Sequence, residues 1–123
     1  MPGISGSGRG EPFDIRMERD GATALIRVRG VFDLIYEQAF RERLLELERA
    51  TPGKLVVHLG EVTFIDSTAI GLLVTAWRRS QRDGYDAVFV LPLEGQVPRA
   101  LEIAGLERLI PTTRVDRQTT PPL

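Results

Sequence analysis

The chain has 123 residues, enough for one domain whose core hides roughly two-thirds of the surface that the unfolded chain would expose. It contains no cysteine, which excludes disulfides, a thiolate nucleophile and a cysteine-based zinc site. With 16 Lys and Arg against 17 Asp and Glu the formal net charge is -1, which excludes a global field that would draw the protein to nucleic acid or to an anionic membrane.

Residues 1–11 are rich in Gly, Ser and Pro without periodicity and read as a flexible arm, native or artificial; residues 115–123 read as a flexible tail, leaving one domain over 12–114. No apolar stretch approaches the about 18 to 20 residues needed to cross a bilayer, and Met1–Gly10 lacks the apolar centre of a secretory signal. A soluble cytoplasmic protein without membrane insertion is the expectation.

Phe13–Arg19 alternates apolar and polar residues, and Ala24–Arg29 does so over its second half, as half-buried strands do. The pair Asp20-Gly21 between them signals a tight hairpin turn. Tyr36, Ala39, Phe40, Leu44 and Leu47 then recur at spacings of three and four, with charges on the other faces, which predicts an amphipathic helix closed by Thr51-Pro52-Gly53. Leu55–Leu59 is short and apolar between breakers and predicts a central strand.

Further on, Ile70, Leu73, Val74 and Trp77 fall on one helical face, with Arg78, Arg79 and Arg82 in the last turns before Gly84. Ala87–Leu91 predicts another strand, Val97–Ala104 a short helix ended by Gly105, and Leu109-Ile110 a last short strand. A hairpin followed by alternating helices and strands gives a single α/β domain with a mixed, mostly parallel sheet, an antiparallel N-terminal edge strand and helices packed on it.

The segment Phe64-Ile65-Asp66-Ser67-Thr68 places an acid and two hydroxyls where a buried strand hands over to a helix, whose free N–H groups favour negative charge. Asp66 or Ser67 could cap that helix, a role worth about 1 kcal/mol. Alternatively, Ser67 could accept a phosphate, adding roughly -1.5 to -2 charge at a place that the helix dipole tolerates, with Thr68 as the competing acceptor.

The stretch Leu59–Leu73, with Gly30-Val31-Phe32-Asp33 before the first helix and Ala100–Leu106 near the end, resembles the STAS domain family, in particular the bacterial anti-sigma factor antagonists; the resemblance covers about residues 13–113. It implies an anti-anti-sigma factor that binds an anti-sigma factor with serine kinase activity and so releases a sigma factor. Ser67 would be the phospho-acceptor that switches binding off, and a PP2C-type phosphatase would restore it. Partner binding would involve Asp33, Asp66, Ser67, Thr68, Ile70 and Gly71, with no cofactor, metal or direct nucleic acid contact and with the phosphoryl chemistry done by the kinase.

Many relatives carry an acid after the glycine where this chain has Val31. An apolar patch around Val31, Phe32 and the start of the second helix is therefore the expected interface.

Other residues carry less. His58, the one histidine, lies in an apolar strand without companions at metal or catalytic spacing, so a structural or half-exposed histidine is expected. Arg78, Arg79 and Arg82 read as a solvated helix end ahead of an anion patch, Trp77 reads as core, and the scattered glycines form no phosphate-cradling loop. Two other functions compete: a STAS scaffold or soluble transport-system component not regulated by phosphorylation, and a small enzyme acting through Asp66 and Ser67. The enzyme is disfavoured because a serine nucleophile needs a base.

Overall fold

The computed structural model describes residues 13–50 and 52–116. The arm and all but the first two positions of the tail lie outside these residues. Strands β1 (Asp14–Asp20) and β2 (Thr23–Phe32) form the antiparallel hairpin that the alternation demands, in register from Asp14↔Arg29 to Asp20↔Thr23. Because Asp20 still pairs with Thr23, the turn is Gly21-Ala22 and lies one residue beyond the expected Asp20-Gly21; Gly21 supplies the positive φ of 60°.

A 3-10 turn (Leu34–Tyr36) leads into α1 (Glu37–Arg49), which buries Phe40, Leu44 and Leu47. Strand β3 (Lys54–Ile65) follows and is much longer than the expected Leu55–Leu59, because it stays paired with β2 in parallel as far as Phe32↔Ile65. Helix α2 (Ser67–Asp83) buries Ala69, Leu72, Leu73 and Ala76 and carries Ile70, Val74 and Trp77 half-buried at the flanks of that face, so the buried stripe is rotated from the expected one. Strand β4 (Asp86–Pro92) and α3 (Gln96–Ile103) come close to their expected bounds.

Strand β5 (Thr112–Val115) replaces the expected Leu109-Ile110. The N–H groups of Leu109 and Ile110 both donate back to Leu106 O at 2.9 Å, so these two residues belong to the turn after α3, where Ile110 is buried and Leu109 is exposed.

The five strands lie in the order β1-β2-β3-β4-β5, with β1 antiparallel at one edge and the rest parallel. Right-handed crossovers that always step the same way deliver their helices to one face. The core accordingly joins α1, α2 and α3 to Ala24, Ile26 and Val28 of β2, Leu55, Val57 and Leu59 of β3 and Ala87, Phe89 and Leu91 of β4. The alternate residues Arg27 and Arg29 point to the other face, where they meet Glu18 and Glu61 at 3.8 Å each.

Candidate functional site

The carboxyl ends of β2, β3 and β4 share one edge of the sheet, as parallel pairing requires, and the segments leaving them converge there. At the end of β3 the extended backbone of Asp66 gives way to α2. Asp66 Oδ1 accepts the Ala69 N–H at 2.9 Å, which makes Asp66 the N-cap. Its Oδ2 accepts the Leu34 N–H at 3.0 Å, so one carboxylate ties the turn after β2 to the start of α2. The expectation left the cap open between Asp66 and Ser67; the structure assigns it to Asp66.

Ser67 is the first residue of α2 and is exposed, and no hydrogen bond among the described residues engages its hydroxyl. Thr68 and Ile70 are half-buried and Gly71 is exposed one turn on from Ser67, so Ser67, Ile70 and Gly71 share a side of the helix. A methyl group built on Gly71 meets nothing within 4 Å, so internal packing does not require glycine there.

Asp33 is buried and its Oδ1 accepts the Ile35 N–H at 3.2 Å. It caps the 3-10 turn and presents Leu34 and Ile35. These two residues correct the expected apolar patch: Val31 and Phe32, the last residues of β2, are 6% and 0% exposed against Phe64 and Ile65 of β3, whereas Leu34 and Ile35 are 62% and 66% exposed. Phe64 and Leu93, at the ends of β3 and β4, add exposed apolar surface on the same edge. Sequence reasoning passed over Leu34 and Ile35 because they stand just ahead of a helical stripe that they do not join.

It also passed over Gln96, the first residue of α3. Its carboxamide accepts the Ile65 N–H and donates to Ile65 O, both at 2.8 Å, directly before Asp66. A separation of 31 residues leaves no local signal for such a contact.

His58 is buried, as expected of a structural residue, and lies outside the junction: its Nδ1 accepts the Gly60 N–H at 3.2 Å. Burial, and then the neighbouring Arg27 charge, push its pKa below the ordinary 6.5, with Glu61 opposing. The basic helix end resolves into ion pairs, Arg79 with Glu48 of α1 at 3.2 Å and Arg82 with Asp83 at 2.8 Å. Among the described residues no group of three or more His, Asp or Glu side chains could hold a metal ion, and no helix is long and apolar enough to cross a membrane.

The fold and this junction define a small α/β domain with a five-stranded mixed sheet and its helices on one face. The model of the STAS domain matches residues 14–119, and a STAS-domain containing protein of Pseudomonas aeruginosa (strain UCBPP-PA14) is 33% identical over 91 residues, covering 73% of this chain and 87% of that protein. The chain belongs to the STAS domain family.

Among solved structures, an anti-sigma factor antagonist from Mycobacterium paratuberculosis superimposes with a TM-score of 0.75 at 18% identity, covering 81% of this chain and 84% of that one. The anti-sigma factor antagonist SpoIIAA in its unphosphorylated form gives a TM-score of 0.71 at 16% identity, covering 85% and 90%. SpoIIAA of Bacillus in its phosphorylated form gives 0.66 at 15%, covering 85% and 94%. At these identities the likeness is one of fold.

Proposed function

We propose that this protein is an anti-sigma factor antagonist whose unmodified form binds an anti-sigma factor with serine kinase activity, releasing a sigma factor, and whose binding is switched off by phosphorylation of Ser67 and restored by a PP2C-type phosphatase. The observation that carries the reading is the division of labour at the junction. Asp66 caps α2, so the exposed Ser67 hydroxyl is free of structural duty.

A phosphate on that hydroxyl would sit at a helix N-terminus, where the fold tolerates its charge, yet beside the Asp66 carboxylate and the exposed Leu34 and Ile35. A partner that covers these apolar side chains would have to desolvate roughly -1.5 to -2 charge along with them, and an uncompensated buried charge costs several kcal/mol. Each 1.4 kcal/mol is about tenfold in affinity, so one phosphate suffices to close the interface. Gly71, where packing does not demand glycine, would let the partner approach the helix backbone, with Thr68 and Ile70 beside it. The solved relatives named as antagonists support this class of partner, and a relative solved with and without phosphate supports the switch.

The test is phosphosite mapping of the protein isolated from its own host in growth and under stress, together with binding of Ser67→Asp and Ser67→Ala to the anti-sigma factor. The expected result is one phosphate on Ser67 with changing occupancy, binding lost in Ser67→Asp and kept in Ser67→Ala. No phosphate in either condition, or a Ser67→Asp variant that binds as tightly as wild type, would return the chain to the unphosphorylated scaffold or transport-component reading.

A further inference from the structure

Strand β4 pairs with β3 only from Lys54↔Asp86 to His58↔Val90, whereas β3 continues beside β2 to Ile65. At its end the Asp66 N–H donates to Phe32 O at 3.4 Å. Backbone groups alternate in direction along a strand, so the N–H and C=O of Ile65 face away from β2, toward the place that β4 has vacated. Gln96 occupies that place, and its single carboxamide makes the donor and acceptor pair that a neighbouring strand would have made. Val97 and Leu101 anchor α3 in the core, so Gln96 is presented from a fixed element.

We propose that Gln96 is a positioning residue for the Asp66–Ser67 junction, holding the end of β3 so that Asp66 can grip Leu34 and Ala69 and α2 can present Ser67. This deepens the reading of that junction as a switched surface and rests on it, but it is tested without a partner. Ile65 is covalently joined to Asp66, and the two carboxylate bonds, at 2.9 and 3.0 Å, are directional. A turn of the Ile65 peptide would misalign both. The geometry therefore couples α3, and the loop with exposed Leu93 that precedes it, to the residues that flank Ser67.

Amide hydrogen exchange by NMR on the full chain decides the matter, with protection compared between wild type, Gln96→Met and Gln96→Glu at matched pH. Methionine keeps the length and removes both hydrogen bonds. Protection should fall about tenfold or more at Ile65, Leu34 and Ala69 and stay unchanged at Ile26 in the hairpin. Glutamate at neutral pH accepts but cannot donate, and it faces the Ile65 carbonyl, so it should reproduce the loss. Below about pH 4 its neutral carboxyl regains an O–H donor beside an acceptor and should restore protection relative to wild type at that pH.

Loss confined to Ile65 would make Gln96 a local bond and overturn the proposal. So would an equal loss at Ile26, which marks general destabilisation, or a Gln96→Glu variant that acid does not rescue. Absence of phosphate on Ser67 would sink the switch and leave these exchange results standing.

Discussion

Asp66 and Ser67 are neighbours with separable roles, and stability measurements can tell them apart. Asp66→Ala removes the α2 cap and the bond to Leu34, and each charge-assisted bond is worth about 1 kcal/mol or somewhat more, so a loss of about 2 kcal/mol is expected in urea unfolding. Ser67→Ala touches neither bond and should stay within about 0.5 kcal/mol of wild type. His58 contributes differently. Its folded pKa is lowered, so the unfolded chain takes up the proton first; the associated stability is fully present above the ordinary value of 6.5 and is lost as pH falls from there through the folded value. Protonation would also take away the Nδ1 lone pair that holds the Gly60 N–H. The urea midpoint of wild type should therefore drop across this window more than that of His58→Gln, and parallel profiles would refute the role. Gly60 itself is fixed by close approach, since a Cβ there would lie 2.6 Å from Cε1 of the buried His58 ring. Gly60→Ala should cost about 2 kcal/mol, as overpacking of a filled site does.

The elements most legible in the sequence are those whose period survives intact. Phe13–Arg19 alternates strictly and β1 follows it; Phe40, Leu44 and Leu47 keep helical spacing and α1 buries them. The second half of β3 was hidden for a physical reason. Two irregularities in its register with β2 each insert a residue, so its inward side chains Leu59, Val62 and Ile65 recur every third position, a spacing that mimics neither a strand nor a full helical face. Strand β5 is hidden in the sequence because its four residues are half-buried or exposed, while the apolar pair Leu109-Ile110 just before it carries the stronger strand signal. Between elements, the half-buried pair Arg79–Glu48 joins α2 to α1, and the second Glu48 oxygen is buried without a partner among the described residues. Arg79→Met would leave that carboxylate uncompensated and should destabilise by about 1 to 2 kcal/mol, which Glu48→Gln in the same chain should largely recover; a double-mutant cycle with no coupling would mean that solvent already screens the pair.

At the scale of the whole molecule, the candidate site is an edge assembled from segments that are remote in sequence. Asp66 was legible as an acid at a strand–helix junction, but its bond to Leu34 spans 32 residues and the Gln96 bonds to Ile65 span 31, and no local period encodes either. The same topology ties Leu34, with Ile35 next to it, to Asp66, the residue before Ser67, and there the partner reading can be tested without touching the serine. Both side chains are largely in solvent, so Leu34→Glu and Ile35→Glu should leave the unfolding midpoint nearly unchanged. Covering a large aliphatic side chain is worth roughly 1.5 to 3 kcal/mol, and replacing it with a carboxylate removes that gain and adds a desolvation cost, so binding to the proposed anti-sigma factor partner should weaken at least about tenfold for each variant in calorimetric titration. Ile103, 80% exposed at the far end of α3, is the control: Ile103→Glu makes the same chemical change away from the edge and should bind as wild type does. Equal weakening by all three variants would point to nonspecific charge repulsion, and wild-type affinity in Leu34→Glu and Ile35→Glu would move the interface away from the ends of the strands altogether.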